Sequence, residues 1–471
     1  MNADRREQVA EAAKYLRSVR PLDPEELADY VEDRPHPAVV RQALREMAFD
    51  LALVEREDGT FVPLEEVDEG LRIDFDGVEA FPERHADRLE ALLVERYGSE
   101  WYDGDSGDRL RATIRRIKAE YYCGQPVEYD AETALAYAVY HLADNYAVAQ
   151  YVLADLLADG LLDRPVRLLD VGAGVGGPAL GILDLLPADC PVEYHAVEPS
   201  AAADVFEALV EAGRNRYLSL HRERAEAVDP DGEFDVVLFA NVLSELDDPA
   251  AVAARYADAL APDGTLVGVA PADRETATGL RSVERDLEER GLAVYGPAVR
   301  LWPDERPADR GWSFDARPDI AVPGFQRHLD EATPESDPDH APGEFVNADV
   351  QYAYSLVRRD GRRAVGVDPD PDRFARMADS DAHVTDRIDL LAVKLSRNLG
   401  SNNPLFKVGD GSQRLDHYAV LTRESALNRD LLEADYGDLL AFENALLLWN
   451  DDEAAYNLVV DDATVVDRLG S

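Results

Sequence analysis

Val166-Arg-Leu-Leu-Asp170-Val-Gly172-Ala173-Gly174-Val-Gly176-Gly177, followed after a helix-forming segment by Glu193-Tyr-His-Ala-Val-Glu198, reads as strand, glycine turn, helix, and a second strand ending in an acid. The apolar run suits a buried parallel strand, and the glycines let the backbone turn sharply and come close to a ligand. Gly172, Gly174 and Gly177 also satisfy the dinucleotide spacing, in which amides at a helix start face a pyrophosphate. Asp170 separates the two readings. A carboxylate at the strand tip repels a diphosphate but suits the ammonium and sulfonium charges of S-adenosylmethionine, which is therefore favoured over NAD. Glu198 can accept both ribose hydroxyls in either case, so the expected cofactor residues are Asp170, Gly172, Ala173, Gly174, Gly176, Glu198 and, further along, Asn241.

The surroundings of this stretch are unusual in charge. With 96 acidic residues, 48 basic ones and a net charge of -48, the surface self-repels in dilute salt. At molar ionic strength the Debye length falls to about 3 Å and the repulsion fades, which points to a salt-adapted cytoplasm. Cys123 and Cys190 are the two cysteines, too few for a disulfide framework or a four-thiolate metal site. The first twenty residues lack the apolar core of a signal peptide, and no apolar run is long enough to span a bilayer, so no membrane partner is expected.

Upstream, three helical patterns and a hairpin around Asp58-Gly59 suggest a winged helix-turn-helix-like module over residues 1–75, with Arg41 and Arg45 able to touch phosphates. Residues 76–130 read as a helical connector. Its most basic helix carries Arg109, Arg111, Arg115, Arg116 and Lys118, a strip that in so acidic a chain is a candidate RNA contact. Ala131 to Gly160 is an apolar, tyrosine-rich helix that leads into the Asp170 strand. On it, His141 and Asn145 lie one turn apart and could face the methionine end of the cofactor. Downstream, the strand Phe234 to Phe239 ends at Asn241, where side chains face the ligand crevice of an open α/β sheet. Asn241 is thus the candidate to meet the transferred methyl or its acceptor.

Over roughly Ala131 to Asp286, the glycine loop with Asp170, Asn241-Val-Leu243-Ser-Glu-Leu246 and Pro262-Asp263-Gly264 resemble a class I S-adenosylmethionine-dependent methyltransferase. The tyrosine-bearing helix, Leu243-Ser-Glu-Leu246, the segment from Val269 through Arg281, Arg285 and Leu287, and Gln351-Tyr-Ala-Tyr-Ser-Leu-Val357 resemble more narrowly the methyltransferase-like proteins of the small ribosomal subunit. That family, known from mitochondrial ribosome assembly, often has cluster-holding cysteines where this chain has Trp302 and Trp312-Ser313-Phe314 without a cysteine. An iron–sulfur cluster is accordingly not expected, and no other metal site is.

From Phe345 the period changes to two. Strands at Val350–Val357, Ile388–Leu395, Phe406–Val408, Tyr418–Leu421, Leu446–Trp449 and Tyr456–Val460 suit a small closed barrel of oligonucleotide-binding (OB) type. Between Asp386 and Arg429 seven basic residues face five acidic ones, so Lys394, Arg397, Lys407 and Arg414 are further RNA-contact candidates. The expected architecture is α/β. A Rossmann-like methyltransferase core (131–290) is followed by a Pro/Trp insert (291–344) and the barrel (345–471). The expected activity is methyl transfer to the small ribosomal subunit or its RNA. A catalytically silent assembly factor, a small-molecule methyltransferase and a NAD-dependent dehydrogenase remain as alternatives.

Overall fold

The computed structural model describes residues 1, 3–65 and 71–470 and divides by internal packing into two units, Met1–Val236 with Asp319–Asp349 and Val237–Pro318 with Val350–Ser471. The first unit opens with α1 (Ala3–Leu16), α2 (Pro24–Leu27), α3 (Pro37–Ala48) and the hairpin β1 (Leu53–Glu55) with β2 (Phe61–Pro63). Pro24 and Pro37 start their helices where a missing N–H costs nothing, and Asp23 caps the Glu25 amide at 2.8 Å. Leu22 bridges to Phe61, so the hairpin is joined by the segment between the first two helices. Asn215 then fastens the hairpin: its side chain accepts from the Glu55 amide (2.8 Å) and donates to the Glu55 carbonyl (3.1 Å).

Next come α4 (Glu83–Tyr97), α5 (Gly104–Tyr122) and α6 (Ala131–Ala158). The 28-residue α6 is apolar almost all round, the pattern of a helix buried on most sides. Three parallel strands follow in the order β5-β4-β3, namely β3 (Val166–Val171), β4 (Val192–Val197) and β5 (Arg216–His221), with α7 (Gly177–Leu185) and α8 (Ala202–Leu209) as crossovers. Gly181 lets α7 lie directly on α6, because a Cβ there would sit 2.4 Å from the Tyr146 carbonyl oxygen. Arg216 donates to the carbonyls of Leu183, Leu186, Pro187 and Cys190, and so satisfies acceptors that the end of α7 leaves open.

The division between the units falls within β6 (Phe234–Ala240). The second unit continues with α9 (Pro249–Ala257), β7 (Leu260–Pro271), α10 (Arg274–Glu289), β8 (Ala293–Gly296) and β9 (Asp315–Arg317). After α11 (Gly324–Glu331) of the first unit comes β10 (Val350–Arg358), which pairs antiparallel with β7, β8 and β9. This corrects the sequence expectation that residues 350–357 open the barrel. The strand alternates as a barrel strand does, but its partners are β7, β8 and β9, outside the barrel.

The barrel begins at β11 (Arg387–Lys394) and continues through β12 (Leu405–Gly409), β13 (His417–Leu421), the short α12 (Asp430–Glu433), β14 (Leu439–Asn450), β15 (Ala455–Val460) and β16 (Val465–Gly470). The order β11-β12-β13-β15-β14 closes through a β11–β14 pairing, leaving β16 outside on β14. This is the 1-2-3-5-4-1 order of a closed five-stranded, OB-like barrel. A register shift in the β11–β14 pairing, with Asn444 at φ 62°, lets the long β14 bend around the closure. Phe406, Val408, Ala419, Phe442 and Leu458 fill the interior. The Pro/Trp segment covers the outside, where Val299, Leu301 and Trp302 pack on Leu391, Val393 and Leu395. Among the described residues, no helix is long and apolar enough to cross a membrane.

Candidate cofactor cradle

After β3 the chain turns through Gly172, Gly174 and Gly176 at φ 75°, 55° and 92°. These are left-handed conformations that a side chain at those positions would strain. The Gly172 and Ala173 amides both donate to the Val197 carbonyl (2.8 and 3.1 Å), which fixes the loop against the end of β4. Gly176 is packed, since a Cβ there would meet Val210 at 2.7 Å. At Gly174 the nearest atom would be the Gly172 carbonyl oxygen, 3.9 Å away. The turn is therefore closed on its helix side and open above Gly174, a space that a Cβ would begin to fill.

Glu198 borders this space. One carboxylate oxygen accepts from the Gly174 amide (3.0 Å), the other from the Ser200 amide (2.9 Å) and hydroxyl (2.5 Å). Each oxygen has two lone pairs, so the acid keeps acceptor capacity for a vicinal diol while being held in place. Ser200 was missed from the sequence, although an acid followed two residues later by serine is a recognisable local turn.

Asp170 departs from expectation. It is fully buried, with one oxygen accepting from the Tyr194 hydroxyl at 2.6 Å and the other without a partner. Burial pushes its pKa up to about 7; the Tyr194 hydrogen bond opposes the shift and Glu198 adds to it. The charge that was to discriminate a sulfonium from a diphosphate is thus only partly present near neutral pH. A nearby cation would favour ionisation, and the unpartnered oxygen is free to serve one. The residues present fit S-adenosylmethionine: Glu198 for the ribose, the Gly172–Gly174 backbone for the close approach and Asp170 as a carboxylate that a positive ligand completes.

The raised value has a consequence for stability. Between the ordinary Asp pKa near 4 and about 7 the folded chain keeps a proton that the unfolded chain releases. Stability is therefore lost as pH rises through that window and is flat above it. Asp170→Asn should remove this contribution. Relative to wild type it should gain stability of the order of 3 kcal/mol between pH 4.5 and 8, read as the difference between two thermal-unfolding series. Parallel series would contradict the buried, protonated Asp170.

Asp170, Gly172, Ala173, Gly174, Gly176 and Glu198 come together in the first unit. Asn241 lies in the second, at the end of β6, at φ 59° with its amide on the Val269 carbonyl (2.9 Å). A non-glycine residue held in that conformation at a strand tip is a frequent mark of a working position, and asparagine tolerates it best.

The basic strip is overturned as a free phosphate contact. Arg115 holds Glu344 (2.6 and 2.7 Å) and Asp337 (2.9 Å), Arg116 holds Glu120 and the Thr133 hydroxyl, and Lys118 donates to Tyr140 and the Glu344 carbonyl. Arg45 of the N-terminal module forms a two-pronged pair with Glu55. In the barrel, Lys394 is buried with its ammonium on the Leu431 and Ala434 carbonyls. Lys407 is buried between Asp309 and Asp416. Neither lysine can reach a phosphate. Arg397 and Arg414 are exposed, Arg397 near the Phe314 ring and Arg414 3.5 Å from Glu305.

Residues 144–320 match the family model of a methyltransferase domain; residues 6–57 and 378–469 match the N- and C-terminal domains of a domain of unknown function, DUF8157. No curated protein matches the chain. Among solved structures, CalS10, an amino pentose methyltransferase from Micromonospora echinaspora, is 22% identical over 26% of this chain and half of its own length (TM-score 0.23). The mitomycin 7-O-methyltransferase MmcR is 19% identical over 62% of this chain and 89% of its own (TM-score 0.27). Magnesium protoporphyrin IX methyltransferase from Synechocystis PCC 6803 is 15% identical over 44% and 88% (TM-score 0.27). Residues 144–320 of the chain thus carry a methyltransferase domain of Rossmann-like fold.

Proposed function

We propose that the chain transfers a methyl group from S-adenosylmethionine to RNA of the small ribosomal subunit. The observation that carries the donor half is the open, left-handed Gly172–Gly174 turn beside a fixed Glu198. When bound, the donor supplies an electrophilic methyl on a sulfonium. The protein's part is to align an acceptor with it and keep water away. Support for the RNA half comes from the five-stranded barrel, whose strand order is shared with oligonucleotide-binding barrels, and from Arg397, Arg414 and Arg423 on its surface.

A small-molecule acceptor is the second reading. It is favoured by one observation, the pairing of Arg115 with Asp337 and Glu344, which takes up the centre of the positive strip that RNA would use.

The experiment offers methyl-labelled S-adenosylmethionine with isolated small-subunit particles and with their extracted RNA, in molar KCl to screen the -48 charge. Label in RNA is the expected result. Donor binding with no RNA retained on filters would shift the reading to a small molecule. Donor and RNA binding without transfer would make the chain an assembly factor.

A further inference from the structure

All but one of the connections between barrel strands carry acids. The β14–β15 turn has Asp451, Asp452 and Glu453, the β15–β16 turn Asp461 and Asp462, and the β13–β14 connection five acids between Glu424 and Asp438. The β12–β13 loop has two, both buried, and its exposed Arg414 lies 3.5 Å from Glu305. The β11–β12 loop, from Leu395 to Pro404, has none. From Leu390 to Gly409 the sequence contains no acid at all, the longest such run in a chain with 96 of them among 471 residues. Burial accounts for the strands on either side. It does not account for the loop, where Arg397, Asn398, Ser401, Asn402 and Asn403 are exposed.

The loop is held from within. Asn398 Oδ1 accepts from the Gly400 and Leu405 amides (2.9 Å each), and the Leu399 amide donates to the Leu405 carbonyl (2.8 Å). At Gly400 a Cβ would sit 1.9 Å from the Asn403 carbonyl oxygen, so only glycine lets the tip fold this tightly. The Leu421 amide donates to the Pro404 carbonyl (2.9 Å), which ties the far end of the loop to β13. The side chains of Ser401, Asn402 and Asn403 take no part in these bonds. Arg397 lies 5.9 Å from the centre of the Phe314 ring and, among the described residues, forms no ion pair. Arg423, two residues beyond Leu421, pairs with Asp462 at 3.1 Å.

We propose that Arg397, Asn402 and Asn403 are where the barrel touches an unpaired stretch of small-subunit RNA; this rests on the RNA half of the reading above. A polyanion approaches a surface of charge -48 at least cost where no carboxylate meets it. Molar salt screens a guanidinium–phosphate pair and shrinks the gain from released counterions. Hydrogen bonds and shape must then carry most of the contact. An asparagine amide offers the adjacent donor and acceptor that a base edge matches, while the arginine takes a phosphate and sets the register. Because the loop is already ordered, little conformational freedom is lost when RNA docks on it.

The test measures retention of extracted small-subunit RNA on filters in molar KCl by four proteins. They are wild type, Arg397→Glu, the double variant Asn402→Asp with Asn403→Asp, and Arg362→Glu, which makes the same charge change at an exposed residue outside the barrel. Each loop variant should weaken binding about tenfold or more, and Arg362→Glu less than about twofold. Melting midpoints should stay at the wild-type value, since every substituted side chain is exposed. Loop variants that retain RNA as wild type does, or an equal loss in Arg362→Glu, would overturn the proposal. If wild type retains no RNA while it binds S-adenosylmethionine, the RNA reading itself falls and takes the proposal with it.

Discussion

Lys407→Met is expected to lower the stability of the barrel by about 3–5 kcal/mol, the largest effect of any single substitution considered for this chain. The Lys407 ammonium lies between Asp309 (2.7 Å) and Asp416, with all three groups almost fully buried. Removing the cation leaves two buried carboxylates with only the longer pairs to Arg285 (3.8 Å) and Arg310 (3.6 Å) to balance them. Asp309→Asn with Asp416→Asn in the same background should recover most of the loss, because the penalty comes from uncompensated charge and not from the missing side chain. Thermal unfolding of the three proteins at pH 7 in molar KCl checks this. A Lys407→Met protein with an unchanged midpoint would show that the pair contributes nothing.

The second large effect separates binding from folding. Gly174→Val faces open space, so it should fold at a cost of about 1–2 kcal/mol for the left-handed backbone. Its side chain, however, would stand where the donor must approach, and affinity for S-adenosylmethionine should fall at least 100-fold. Gly181→Ala is the contrasting case. Its methyl would sit 2.4 Å from a backbone oxygen of α6, so it should lower the unfolding temperature of the methyltransferase core. Calorimetric titration beside a melting curve distinguishes the two outcomes.

These glycines also show what the sequence could reveal. The turn at Gly172, Gly174 and Gly176 is local, because left-handed residues must be supplied by the turn itself, and all three adopt it. Glu198 was placed by the same logic of strand length. The state of Asp170 was not legible. Its burial depends on Tyr194, one strand over, and sequence alone does not say which face of the sheet receives the aspartate.

The same limit applies to charge. Arg115 stood out in a cation-poor chain, but its partners Asp337 and Glu344 lie more than two hundred positions away. A run of like charges shows its own spacing and nothing of the acids folded against it. In the barrel the misreadings were partly avoidable. Lys394 shares its parity with Leu390 and Ala392, which face the interior, so alternation already placed it inside. Lys407 has the opposite parity to Phe406 and Val408 and should face solvent, but the segment carrying Asp309 covers that side. Alternation assigns a face; it does not say what lies over it. For the same reason Val350–Val357 reads as a barrel strand in sequence, although it pairs with β7.

The measurement that bears most directly on the central claim is calorimetric titration of the intact chain, in molar KCl, with S-adenosylmethionine and separately with NAD. A turn open above Gly174 and bordered by Glu198 and Asp170 predicts saturable one-to-one heat with S-adenosylmethionine and none with NAD. Heat with NAD alone, or with neither, would contradict it.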